Sequence, residues 1–167
     1  RLHYPFSMDT TVFNIKNRLE DVDMKTHYLP KEKIPKYEPF DGAKDYLALV
    51  SRPSRYISGE INSVKKDLSH LKLKVGLAFP DVYEIGMSHL GMQILYQILN
   101  SSTDIACERV FSPWVDMEKL LRDKKIPLAT LESGIPLDKL DLLGFSIQYE
   151  LSYTNIINML NLGNIPL

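Results

Sequence analysis

The spacing of apolar positions changes character at about residue 71. Beyond it, short and nearly continuous apolar runs alternate with stretches whose apolar side chains recur every three or four residues. Lys74-Val-Gly-Leu-Ala-Phe79 is such a run, the mark of a strand buried on both faces. Pro80-Asp81 punctuates it, and Ile85, Leu90, Ile94, Leu95, Ile98 and Leu99 follow at helical intervals. The pattern then predicts a second strand over 106–111 and a second helix around 117–121. A short third strand is expected over 128–131 and a fourth over 142–147. A last helix is expected over 152–161, with Ile156, Ile157, Met159 and Leu160 apolar.

Strand and helix alternating at this spacing predict an α/β fold, a doubly wound and mainly parallel sheet of Rossmann-like or flavodoxin-like type with right-handed crossovers. The first 50 residues stand apart as a helical and extended appendage. Val12, Phe13, Ile15, Leu19 and Val22 form a loose helical stripe within 11–24, behind possible caps at Asp9 and Thr10. Three prolines among charged residues then predict an extended linker over 29–40. The expected organisation is an appendage over 1–50 and an α/β domain over 51–167.

The chain starts at Arg1, and Asn164-Ile-Pro-Leu167 restarts an apolar run after the last helix, as the next strand of an α/β fold would. The expectation is a piece of a longer protein, with a truncated sheet edge after Gly163 that is uncovered, prone to pairing and poorly soluble.

Composition narrows the function classes. With 20 basic and 21 acidic side chains the net charge is −1, so no general attraction to nucleic acid or to an anionic membrane is expected. No apolar run approaches the roughly 18 residues of a membrane span, and no signal peptide is visible, so the expected location is the cytoplasm. One cysteine, Cys107, can neither close an internal disulfide nor hold a metal cluster alone. The four histidines (His3, His27, His70 and His89) show no metal-ligand spacing. Gly86 and Gly91 do not make a dinucleotide-binding fingerprint.

Ligands of open α/β sheets bind outside the carboxyl ends of the strands, which selects residues 81–86, 112–114, 132–134 and 146–150. In Asp81-Val-Tyr-Glu-Ile-Gly86, Asp81 and Glu84 have the spacing of a helix capping box, and both carboxylates suit the helix dipole. The same turn would face the crevice, so ligand contact through Asp81, Tyr83, Glu84 and Gly86 is the functional alternative. Ser146, Gln148, Tyr149 and Glu150 cluster where the fourth strand ends, next to that turn. Trp114 is either rim packing or an aromatic wall beside a cofactor.

Several runs together resemble the opening of a family of radical SAM proteins. They are Arg52-Pro-Ser-Arg-Tyr-Ile-Ser-Gly-Glu-Ile-Asn62, Leu77-Ala-Phe-Pro-Asp-Val-Tyr-Glu-Ile-Gly-Met-Ser-His-Leu-Gly91, Glu108-Arg-Val-Phe-Ser-Pro-Trp114, Leu131-Glu-Ser133 and the run from Leu143 to Asn155. The resemblance spans about residues 50–167 and implies a cobalamin-binding-type domain ahead of a radical SAM barrel in the same polypeptide. Such domains often carry Asp-x-His-x-x-Gly, the histidine ligating cobalt; here the spacing reads Asp81, Tyr83, Gly86. A neutral phenol is a poor ligand, so cobalamin is expected to bind without one, or not at all. Ser146, after Asp141 and Gly144, falls where such domains place a small hydroxyl residue. The three-cysteine motif for a [4Fe-4S] cluster is missing. The cluster and S-adenosylmethionine therefore belong to the parent protein, and this chain is not expected to be catalytic by itself. Two readings follow from the resemblance: a cobalamin and substrate platform, or a degenerate domain that docks without a cofactor.

Overall fold

A computed structural model describes the backbone of Thr10–Phe13 and residues 46–167. Four strands make one sheet: β1 (Thr10–Phe13), β2 (Leu73–Phe79), β3 (Ile105–Phe111) and β4 (Leu142–Ser146), in the order β1-β4-β2-β3. β2 runs parallel to both neighbours, with Leu73 opposite Ile105, Phe79 opposite Phe111, and Val75 opposite Leu142. The helices are α1 (Tyr83–Ser88), α2 (Leu90–Asn100), α3 (Val115–Lys124) and α4 (Tyr153–Leu162).

The alternation of strand residues feeds two cores. Val75, Leu77, Phe79, Cys107 and Phe111 face α2, where Met92 and Tyr96 pack on them. Ala78, Val110, Leu143 and Phe145 face the other way, against Met117 and Leu121 of α3 and Ile156 and Met159 of α4. Successive crossovers run in opposite directions from the central β2. Right-handed connections then place their helices on opposite faces, as found here. The expected α/β class holds.

Three local expectations are corrected. Thr11, Val12 and Phe13 belong to β1, antiparallel to β4, and not to a helix. β-branched and aromatic side chains suit a strand, and the free edge of β4 supplies the backbone partner that local periodicity cannot register. That pairing also covers the second side of β4. The rest of the helix expected over 14–24, and the linker over 29–40, lie outside the described residues.

Residues 128–131 do not form a strand. They contribute one bridge, Ala129 to Pro136, within a loop that turns back on itself through Thr130 N–H to the Ile135 carbonyl and Leu137 N–H to the Leu128 carbonyl. The long helix expected after β2 is two helices, broken at His89, whose Nδ1 accepts the Met92 N–H (3.2 Å) as the cap of α2.

Two glycines are set by close approach. A Cβ on Gly86 would lie 2.4 Å from the Phe111 ring, so α1 can sit this low over β3 only with glycine there. A Cβ on Gly163 would lie 2.7 Å from Leu137, while Asn164 (φ 57°) takes the left-handed position that ends α4. Ile165 N–H then reaches the Leu160 carbonyl (2.9 Å), the long bond of a Schellman motif.

The outer edge of β3 is closed without another strand. The Lys66 ammonium donates to the Ile105 carbonyl (2.6 Å). The Asn100 amide satisfies both the N–H (3.1 Å) and the carbonyl (2.9 Å) of Cys107. Glu132 accepts the Arg109 N–H (2.7 Å), and Leu131 N–H meets the Arg109 carbonyl (2.8 Å). Side chains thus occupy the places of a fifth strand's backbone.

Candidate functional site

The order β3-β2-β4 places a topological switch point at the carboxyl ends of β2 and β4, where ligands of such sheets bind. The sheet brings the turn after β2 and the segment after β4 together there. Tyr149 hydroxyl lies 3.5 Å from Asp81 Oδ2, and the Asn155 amide donates to the Pro80 carbonyl (2.9 Å). Ser146 ends β4 and accepts from the Gln148 amide (2.9 Å), while Gln148, Tyr149 and Glu150 are exposed. Leu151 and Tyr153, next in the chain, are 80% and 55% exposed, an apolar rim that the fold itself does not bury.

Asp81 does not cap α1. The cap position belongs to Val82, and Asp81 Oδ1 accepts the Val82 N–H (2.7 Å) one residue too early. The capping box with Glu84 is therefore absent. Glu84 instead accepts from Arg52 (3.0 Å) and Arg55 (2.9 Å), and these bonds hold its carboxyl below the usual range. Gly86 is a packing residue under Phe111. Trp114 stands on the rim at the start of α3, 45% exposed, with the Arg55 guanidinium 5.0 Å above its ring. It follows β3, and its N–H meets the Tyr56 hydroxyl (3.1 Å).

Tyr83 points into a network that pattern reading did not find. Its hydroxyl donates to Glu60 Oε1 (2.7 Å), while Glu60 Oε2 accepts from Arg109 Nη2 (3.2 Å) and from the Gly59 N–H (3.3 Å). Arg109, 3% exposed, also donates through Nε to Glu132 Oε1 (2.6 Å), and Glu132 is fully buried. The Tyr96 ring lies 4.5 Å from the guanidinium carbon, and Met87 sulfur accepts from Nη1. A buried guanidinium needs this density of partners, since each carboxylate offsets part of its lost hydration.

The electrostatics follow from burial and these contacts. Burial opposes ionisation of Glu60, but the Tyr83 hydroxyl, backbone N–H groups and Arg109 outweigh it and bring the carboxyl below its ordinary value. Burial, then Glu60, pushes Tyr83 up to about 12. Complete burial pushes Glu132 upward against the pull of Arg109. Burial and the neighbouring Glu132 push the Cys107 thiol up to about 12, so it is an inert core residue.

On the opposite face of β3, Glu108 accepts from Thr130 hydroxyl and Ser133 N–H, fastening the 128–137 loop a second time. The signal for these buried charges was in the sequence: Glu108 and Arg109 sit mid-strand in an element whose other residues are apolar or small. A charge at such a position must find its hydrogen-bond partners or counter-charge inside the protein.

No group of three or more metal-ligating side chains occurs among the described residues. No helix among them is long and apolar enough to cross a membrane. The class is thus an α/β domain whose three main strands run parallel, with a switch point at the ends of β2 and β4 and a buried charge cluster beside it. Residues 91–167 match the family model for the N-terminal region of radical SAM proteins, which marks this part of the chain as radical SAM-associated. No curated protein and no solved structure matches the chain.

Proposed function

We propose that this chain is the N-terminal platform of a radical SAM protein, and that cobalamin lies over the carboxyl ends of β2 and β4 with no side chain on cobalt. The observation that carries the reading is the switch point, where Asp81 and Tyr149 meet beside Ser146 and an exposed apolar rim. The donor set suits a cofactor held by its edge: Asp81 accepts, Ser146 and Gln148 can donate and accept, and Leu151 and Tyr153 offer apolar area. It does not suit ligation through cobalt, because Tyr83 is neutral, committed to Glu60 and turned toward β3. Bound cobalamin would supply a methyl carrier or a radical source. The [4Fe-4S] cluster and S-adenosylmethionine would lie with the barrel, outside this chain.

Titration with hydroxocobalamin, with retention of colour through gel filtration, tests the reading. Near-stoichiometric retention with an aquo-type spectrum is expected, and Ser146→Leu, which crowds the crevice, should weaken retention at least about tenfold. Retention that survives Ser146→Leu and Asp81→Leu would place the cofactor elsewhere.

A second reading is docking without a cofactor. The clasp of Tyr83 by Glu60 and of Glu84 by Arg52 and Arg55 favours it, since these contacts use the motif's side chains internally. It predicts no retained colour from the chain or from its parent.

A further inference from the structure

Residues 57–66 run beside β3, with Glu60 on Arg109 near its carboxyl end and Lys66 on Ile105 at its amino end, without forming a helix or a strand. Of their apolar side chains Val64 packs against the core, while Ile57 is 53% exposed and Ile61 wholly so. Polar contacts fasten the segment as well. Val64 N–H donates to Tyr96 hydroxyl (2.7 Å), and the Lys66 ammonium spans the carbonyls of Asn100, Ser102 and Ile105. Midway, Glu60 reaches inward to Tyr83 and Arg109.

The charge count at that point is uneven. Arg109 and Glu132 already form a close buried pair at 2.6 Å. Glu60 adds a second carboxylate to one guanidinium, leaving the cluster with a formal charge of −1. A mere counter-charge for Arg109 would not require it. The two oxygens of Glu60 are instead met one by one: Tyr83 and Arg109 form a two-donor cradle shaped for a carboxylate. The cradle belongs to β3 and α1, while its occupant arrives on an irregular segment. Tyr83 and Arg109 also line a partly open cavity of about 30 Å³, together with Phe111, Leu131, Met117 and Arg55. That is room for about one water molecule with the segment in place.

We propose that Tyr83 and Arg109 form a carboxylate-binding site that Glu60 fills in cis, and that a carboxylate with a short apolar body takes its place when residues 57–66 lift. The site is separate from the β2–β4 crevice and does not depend on cobalamin. The segment forms no helix or strand and is joined to the core by part-buried side-chain bonds at Glu60, Val64 and Lys66, so exchange of one carboxylate for another breaks those bonds without unfolding the sheet. The cavity sets the ligand class: its walls are apolar, and its cationic side is lined by Arg109 and Arg55.

The test uses the full chain and propionate as probe, with sodium chloride at matched ionic strength as control. Glu60→Ala should melt about 5 °C below the parent. Propionate should restore about half of that loss or more, saturably, and chloride should not. Adding Tyr83→Phe to Glu60→Ala should weaken the propionate effect about fivefold, the loss of one hydrogen bond to a charged group. In the unsubstituted chain, propionate should accelerate amide hydrogen exchange over residues 57–66 and leave β3 unchanged.

Rescue by chloride as well as by propionate would reduce Glu60 to a nonspecific counter-charge and overturn the proposal. Specific rescue without accelerated exchange in the unsubstituted chain would overturn the gating half, since the cradle would then serve Glu60 alone. Neither failure touches the cobalamin reading, which the Ser146 and Asp81 variants test.

Discussion

The two sides of β2 are built on opposite terms. Toward β3, charges are buried: Arg109 and Glu132 form an ion pair, Glu60 and Tyr83 close over it, and side chains seal the strand edge. Toward β4, polar groups stay at the surface, with Ser146, Gln148, Tyr149 and Glu150 making few contacts. A buried charge must be satisfied internally and so becomes structural, whereas an exposed polar rim remains available to a ligand. The difference teaches where stability and binding are separable in this domain. Substitutions beside β3 should change the fold, and those beside β4 should change only what the fold holds.

The sharpest way to break that contrast is Glu132→Ala. The change removes the closer carboxylate from Arg109 and the acceptor of its backbone N–H, leaving Glu60 as the remaining counter-charge, so urea unfolding should show a loss of about 3 kcal/mol. A loss below about 1 kcal/mol would mean that water reaches Arg109 and that the β3 side is not closed. Next, Gly86→Ala should cost about 1–3 kcal/mol, because the new methyl meets the Phe111 ring and α1 must rise from β3.

Acid should act on the same side. The Glu60 carboxyl is depressed in the folded state, so its contribution is complete above its ordinary value of 4.5 and is lost as pH falls through the lower folded value. Stability measured from pH 6 to pH 3 should therefore fall less steeply in Glu60→Gln than in the parent chain. The smallest effect belongs to the open side: Gln148→Ala should shift stability by less than about 0.5 kcal/mol, while Ser146→Leu weakens any bound cofactor.

What the sequence made legible follows the same division. β2, β3 and β4 stood out because near-continuous apolar runs are what a strand buried on both faces requires. The crevice segments stood out because strand ends are positions in a topology. β1 was missed because four residues carry too little periodicity to outweigh a longer stripe, and its partner residues lie 130 to 136 positions away. The loop over 128–137 looked like a strand because Leu128 and Leu131 are buried, yet the edge of β3 is satisfied there by one backbone N–H and a carboxylate.

The charge cluster was hidden for a related reason. Glu60, Tyr83, Arg109 and Glu132 lie in four separate segments, and only the sheet and the segment over 57–66 bring them within hydrogen-bond reach. Two of them, Tyr83 and Glu132, lay in segments chosen for the crevice, but their side chains serve the neighbouring cluster. Strand topology predicts where a loop goes and leaves open which side of it a phenol will face.

The closed edge of β3 has a consequence for how these molecules can meet one another. Two open edges let sheets join end to end without limit, which is how fibrils grow. Here the Asn100 amide, the Lys66 ammonium and the Glu132 carboxylate remove one of the two. Association through the β3 edge would require these side chains to leave the backbone groups they satisfy.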